Sequence, residues 1–377
     1  MKRILQIIPV FAAVVFLSSC FGVRTAELSE RLIIEAIGID VQDGDIRVTV
    51  QALDTGAGGS GEGTAANETT KIYNFVDSTP ARAFARASSA GGLIPLYSHA
   101  RILVLGKEAA EEKLEEILDF FLREYTARSD ILIAAAEGKA ADIISADITD
   151  GTTDAAVVER LLTEGHAQGK NVLTPLYKFI DRLLTGSDTA ICPLLGVQPS
   201  AAEGKTDVLV KGTALFRKDG RVLTADQKET EGLLLLNGET GAMTFALSGE
   251  NGEYTLNTVK SKTKIKPSVK DGKAYFSVET DVVCDMTEYG SGIFSGVSRR
   301  ETKEAEKLLA DAVEEKEKRA LEDVFLKHGT DICRFGRRIL LSDPEFYKTY
   351  IRDMPGLTVW ELKVSATVRR TGRETMN

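Results

Sequence analysis

The feature that most constrains this chain is its first twenty residues, because they decide which part folds and on which side of a membrane. Lys2 and Arg3 make a short basic start, and Ile4 to Leu17 is an apolar run broken by one polar residue, Gln6. Ser18 and Ser19 are small, and Cys20 follows at once. A basic start, an apolar core and small residues ahead of a cut are the parts of a secretory signal. The competing reading is an uncleaved transmembrane anchor. Ile4 to Leu17 is fourteen residues, which at about 1.5 Å each give roughly 21 Å of helix. A span needs about 20 apolar residues to cross about 30 Å of hydrocarbon. Pro9 weakens the helix further. The lengths favour the cleaved signal.

Leu17-Ser18-Ser19-Cys20 resembles a lipobox, where the Cys thiol takes a diacylglyceryl group before cleavage. Cys20 is then the lipidated first residue of a mature chain ending at Asn377. Two acyl chains on Cys20, palmitate being typical, hold a protein stably, whereas one chain binds only marginally. No second hydrophobic run approaches spanning length. The expectation is a body tethered to the outer face of a membrane.

The mature chain is long enough for two or three domains with real cores. The whole chain has a net charge of −9, and losing Lys2 and Arg3 makes it more acidic. That argues against nucleic acid or an anionic bilayer as the main partner, since both need a basic face. Besides Cys20, three cysteines remain, Cys192, Cys284 and Cys333. They are far apart, and none forms a CxxC pair, so neither a zinc site nor a disulfide framework is indicated. They read as small buried apolar residues. An oxidising compartment would allow one disulfide among them.

Along the chain, Leu28 to Asp40 becomes strand-like, Asp43-Gly44 turns it, and Asp45 to Leu53 alternates as the second arm of a hairpin. Thr55 to Asn67 reads as a Gly/Ala-rich loop. Ile72 to Phe75 resumes a strand, and Thr79-Pro80 starts a helix. Arg101 to Leu105 is a short strand, Glu108 to Tyr125 an amphipathic helix, and Ile131 to Ala136 another strand. That succession suggests a βαβ unit. Helices are expected at Ala140 to Ile144, Ala155 to Glu164 and Val172 to Leu184. Pro193 to Thr206, rich in small residues, is the expected domain boundary.

The second half opens with a strand at Asp207 to Phe216 and a helix near Thr224 to Leu236. Strands follow around Ala242 to Leu247, Tyr254 to Ile265 and Ala274 to Asp285, with Asp271-Gly272 turning the last pair. Arg299 to Lys327 is a long charged helix with one apolar stripe. The stripe breaks near Lys316, so the helix is expected to lie across its own sheet rather than in a coiled coil. Ile332 to Tyr350 is helical with a break at Pro344, Val359 to Val368 is a last strand, and a polar tail starts at Arg369. Strand-rich sequence followed by a long helix is an α+β signature. The expected class is α+β and multidomain, with mixed and antiparallel sheets and packed helices behind a lipoprotein signal peptide. The expected divisions are a signal peptide at 1–19, a lipidated tether at 20–27 and an N-terminal α+β domain at 28–198. A middle strand-rich domain at 206–292 and a C-terminal α+β domain with the long helix at 293–377 follow.

Catalytic motifs are missing. Gly56, Gly58 and Gly61 satisfy GxGxxG, but no helix follows to present its N-terminus to phosphate. Gly204-Lys205-Thr206 ends like a P-loop, but Pro199 stands where its first Gly belongs. There is no HExxH and no GxSxG. His99, His166 and His328 are too scattered to suggest a metal cluster. No catalytic residue, metal or cofactor is assigned, and Cys20 is the one site residue named.

Several segments, taken together in order, resemble the Ger(x)C family, the C subunits of spore germinant receptors. They are Glu27-Leu28, Leu32-Ile33-Ile34 and Ile37-Gly38-Ile39-Asp40, then Tyr97-Ser98-His99-Ala100-Arg101 running to Gly106. Ile117-Leu118-Asp119-Phe120 with Arg123 and Lys211-Gly212-Thr213-Ala214-Leu215-Phe216 follow. Gly329-Thr330-Asp331-Ile332, Phe335-Gly336-Arg337, Pro344 and Tyr347-Lys348 complete the series. The chain departs from the family in having Phe21-Gly22 where Trp-Asp usually follows the lipidated Cys. The resemblance implies three α+β domains, no catalysis, and a complex with A-type and B-type membrane subunits in the spore inner membrane. The expected function is therefore a non-enzymatic, membrane-anchored receptor subunit needed for nutrient-triggered germination. One alternative is an extracytoplasmic solute-binding lipoprotein delivering a small ligand to a transporter, which should show two similar lobes about a deep cleft. Another is a cell-wall hydrolase, which the missing motifs disfavour.

Overall fold

The computed structural model describes residues 30–54, 70–124, 126–148, 154–290 and 296–371. The signal, Cys20, the tether and the loop carrying Gly56, Gly58 and Gly61 lie outside them.

The first sheet grows from β1 (Arg31–Gln42), which is buried along nearly its whole length. A strand covered on both faces needs no polar alternation, and its Ile-rich run supplies none. Asp43 and Gly44 both take positive φ, 53° and 85°, the twist that a two-residue hairpin loop requires. They turn the chain into β2 (Asp45–Leu53), and β3 (Thr70–Asp77) pairs beyond it. Thr79 caps α1 (Pro80–Gly91) by accepting from the Arg82 N–H. After β4 (Ile94–Leu96) come β5 (Ile102–Leu105), α2 (Lys107–Glu112), α3 (Leu114–Arg123) and β6 (Leu132–Ala136). Strands β1, β5 and β6 run parallel, so the expected βαβ unit is present. The amphipathic helix that closes it is broken at Lys113, whose φ of −126° and ψ of 11° leave the helical region.

Helices α4 (Ala140–Ile144), α5 (Asp154–Ala167) and α6 (Leu176–Leu184) follow. The last was expected from Val172. The residue before Pro175 is pushed out of the helical region, and the Thr174 carbonyl instead accepts from the Ile133 N–H. β7 (Ala190–Pro199) joins β6 in parallel and pairs antiparallel with β8 (Thr206–Phe216), which pairs with β9 (Val222–Ala225). Pro193 to Thr206, the expected boundary, falls at the end of β7 and the turn into β8. The strand order is β3-β2-β1-β5-β6-β7-β8-β9, with β4 beside β1. One face carries a core with α1, α2, α3 and α6, and the other carries a core with α4 and α5.

The helix expected near Thr224 begins later. Thr224 lies in β9, and Asp226 opens a capping box with Glu229 at the start of α7 (Gln227–Asn237). The second sheet has order β10-β11-β12-β13, from β10 (Thr244–Gly249), β11 (Gly252–Lys270), β12 (Lys273–Tyr289) and β13 (Thr358–Thr371). β13 runs parallel to β12, so both sheets are mixed. The polar tail starts later than expected, since Arg369 stays in β13 and pairs with Asp285 at 2.6 Å.

Ser298 and Glu301 form a capping box at the start of α8 (Arg299–Arg319), which continues as a π-helical segment, Ala320–Lys327. Ala305, Leu309 and Val313 on α8 pack with Leu256, Val282, Cys284 and Val368 of the sheet. The long helix therefore lies across its own sheet, as the broken stripe suggested. At that break, Lys316 pairs with Glu231 of α7 at 2.6 Å. Gly232 lets the two helices touch, because a Cβ there would sit 2.1 Å from the Lys316 carbonyl oxygen. Helices α9 (Phe335–Ser342), α10 (Pro344–Tyr350) and α11 (Met354–Leu357) lead into β13.

A buried polar chain helps hold α8 to this sheet. Glu317 is fully buried. Its Oε1 lies 2.7 Å from Thr280 Oγ1, which lies 3.1 Å from Thr263 Oγ1, which donates to the Leu235 carbonyl at 2.6 Å. Thr280 Oγ1 donates to the Glu317 carboxyl, and burial pushes that carboxyl up to about 7 against the pull of this bond.

Candidate functional site

The family-like segments converge on two buried clusters. In the first, Asp40 at the end of β1 accepts from the N–H groups of Ala140 and Ala141, at 2.8 and 2.9 Å, and so caps α4 from 100 residues away. Burial raises its carboxyl against the pull of those donors. A Cβ on Gly106 would sit 1.9 Å from Asp40 Oδ1, and one on Gly38 would sit 2.8 Å from Ile144 Cγ1. Gly38, Asp40 and Gly106 are thus one packing unit that seats α4 on the parallel strands. Tyr97 meets Phe84 edge-on at 5.0 Å in the same body. Arg101 pairs with Glu159 at 2.7 Å and Glu35 at 3.4 Å. His99 is exposed.

The second cluster joins the first body to the C-terminal helices. Asp331 is buried and accepts from Phe335 N–H at 2.8 Å and Gly336 N–H at 2.7 Å, opening α9. Burial pushes its carboxyl up to about 7, while the two N–H donors pull it back. Its carbonyl accepts from Thr189 N–H at 3.2 Å, and the Thr189 carbonyl accepts from buried Arg182 at 3.3 Å. Arg334 lies 3.2 Å from Asp188 and 3.1 Å from Asp181. A Cβ on Gly336 would come within 2.5 Å of Ser187 Cβ. The Gly329 to Arg337 segment is therefore a junction between the two bodies. Proximity of these motif residues to one another across the junction could not be read from their spacing in the chain.

The three cysteines are free and buried. Burial raises all three thiols, Cys284 to about 12, which keeps them protonated and unreactive at neutral pH. Among the described residues, no group of three or more His, Cys, Asp or Glu is placed to hold a metal ion. None of their helices is long and apolar enough to cross a membrane.

A groove of about 890 Å³ opens between α3 and α6. Leu118, Ile180 and Phe216 are buried at its base, while Leu122 and Leu184 on its walls are 62% and 79% exposed. Leu122 is exposed because it stands at the open side of the groove. Such an arrangement suits docking of another chain rather than covalent chemistry.

Comparison with known proteins matches this architecture. Residues 24–197 match the model described as "Spore germination protein N-terminal domain" and residues 211–372 that described as "Spore germination B3/GerAC like, C-terminal". The chain is 24% identical over 302 residues to spore germination protein GerQC of Bacillus cereus, covering 77% of this chain and 82% of the relative. It is 23% identical over 273 residues to the putative spore germination protein YfkR of Bacillus subtilis, covering 70% of each. The crystal structure of the GerBC protein superposes with a TM-score of 0.57 at 16% identity, over 91% of this chain and 99% of that one, and so shares the fold. With both halves matched in order over nearly its whole length, the chain belongs to the Ger(x)C family of spore germination proteins.

Proposed function

We propose that this chain is the lipid-anchored C-type subunit of a nutrient germinant receptor. Cys20 carries the lipid and holds the body at the outer face of the spore inner membrane. The body acts by docking against A-type and B-type membrane subunits and performs no catalysis. The observation that carries this reading is the ordered match of two spore germination domains over 24–197 and 211–372, directly behind the lipobox-like run ending at Cys20. It is supported by the use of the family-like acids, Asp40 and Asp331, as packing residues rather than as groups lining an open cleft.

Deletion of the gene should abolish germination with one class of nutrient and leave a receptor-independent trigger untouched. An equal loss with both triggers would point to a general defect in the spore and overturn the reading. Cys20→Ala should leave the body folded and release it to the soluble fraction when the membrane subunits are absent. Retention on membranes under those conditions would mean that something other than the lipid holds it.

A further inference from the structure

The groove between α3 and α6 is an apolar trough with a charged rim. Leu114, Leu118 and Leu122 stand at helical spacing along one wall, and Ile180, Leu183 and Leu184 form the other. Leu118 and Ile180 are buried at its floor, half-buried Leu114 and Leu183 flank it, and Leu122 and Leu184 stand exposed at its mouth, an apolar opening of the kind that marks contact sites. The rim is asymmetric. Glu111, Glu112, Glu115, Glu116 and Asp119 lie along the α2–α3 side, against Lys113, Arg217 and Lys218. Most of the basic groups are engaged: Lys113 lies 3.7 Å from Glu116, and Arg217 pairs with Asp219 and donates to the His328 carbonyl. Asp119 is held by Arg123 at 2.9 Å. Glu112 and Glu115 are exposed and have no ion-pair partner among the described residues. The uncompensated charge along the leucine wall is therefore negative.

We infer that this groove receives an amphipathic helix from a protein partner, its apolar face against the leucines and its Lys or Arg residues along the Glu112–Glu115 rim. The wall from Leu114 to Leu122 is about 12 Å long at 1.5 Å per residue, so two to three helical turns fill it. Anchors at i, i+3, i+4 and i+7 suit such a trough. Charge along one edge then fixes the orientation and rejects acidic helices. A membrane subunit as the source of the helix rests on the receptor-subunit reading; the chemistry of the groove does not.

The test uses the chain from Phe21 to Asn377, which keeps every residue of the four cores and leaves a peptide no lipid to enter. The probes are two synthetic helical peptides of equal length, one built from Leu and Lys and one from Leu and Glu, followed by fluorescence anisotropy. The Leu/Lys peptide should bind and the Leu/Glu peptide should not. Leu122→Asp with Leu184→Asp should weaken binding at least tenfold, and both sites are exposed enough to leave folding alone. Glu112→Lys with Glu115→Lys should weaken the Leu/Lys peptide and admit the Leu/Glu one. Glu345→Lys, on an exposed side chain of α10, should change neither. The proposal is overturned by absence of binding, by leucine variants that bind normally, or by Glu345→Lys acting as strongly as the rim reversal. The last two results would mean that net charge alone attracts the peptide. In spores, groove variants that bind no peptide but germinate normally would separate the groove from the receptor-subunit reading.

Discussion

An alanine methyl group at position 106 would fall 1.9 Å from Asp40 Oδ1, so the carboxylate and the methyl cannot both stay. Displacing Asp40 strips α4 of its two capping bonds inside a buried site, where lost bonds are costly. Gly106→Ala should therefore lower stability by about 2–4 kcal/mol in urea unfolding. Gly138→Ala, where a Cβ meets open space, should change it by less than about 0.5 kcal/mol. Glu317 gives a different signature. Its folded carboxyl stands at about 7, above the ordinary 4.5, so the folded state holds a proton that the unfolded chain has released. That contribution is complete below about pH 4.5 and is lost as pH rises through about 7, a change of roughly 3 kcal/mol. Glu317→Gln keeps an acceptor for the Thr280 hydroxyl but has nothing to titrate. Its melting temperature should exceed that of the unaltered chain above about pH 7 and converge with it near about pH 5. Parallel curves would show an ionised Glu317 in the fold.

Elements with strict alternation or a clear apolar face were legible from sequence, because burial on one face leaves a period that residues cannot hide. α3, β12 and β13 are of this kind, while β2 alternates in sequence although its Thr49 and Gln51 are buried as well. What misled was punctuation. Lys113 breaks a helix that its apolar pattern runs straight through, and the small residues after Pro199 form the turn between β7 and β8. β9 was absorbed into the following helix because Asp226, the true start, was not weighed as a cap. The contact between α7 and α8 left no periodic trace at all. Gly232→Ala tests it with a sign. At an exposed helical site the change would stabilise by about 1 kcal/mol. Here the added carbon meets the Lys316 carbonyl, so thermal unfolding should instead occur at a lower temperature.

At the scale of the whole molecule, the family-like segments mark the places where parts must meet. Gly38, Asp40 and Gly106 gather at one end of the parallel strands, while Asp331 and Gly336 join two bodies. Their importance could be suspected from the sequence. Their roles could not, because each depends on partners far away in the chain. Cys20 is the opposite case, an expectation from the sequence alone that lies outside the described residues. The Asp331 side chain caps α9, whose Gly336 packs on Ser187 of the first body, so Asp331→Asn should disturb the junction more than either core. Asn presents an N–H₂ to one of the two backbone donors that Asp331 now satisfies. Calorimetry should then resolve two unfolding transitions where the unaltered chain gives one.

The two sheets are also separate in time. All strands of the first end by Ala225, and all strands of the second begin at Thr244 or later. A chain made N-terminus first can close the first sheet before the second has been synthesised. The second cannot close so early, because β13 contacts β12 across 84 residues, as in the bond from Ser365 to Asp281. Parallel pairing over such a separation carries a large loop-closure cost and is slow. Until those last residues arrive, one long edge of β12 stays open to any neighbouring strand. The final fourteen-residue strand, Thr358–Thr371, is therefore the segment on which folding of the second sheet waits, and where a premature stop would leave a sticky intermediate rather than a smaller stable protein.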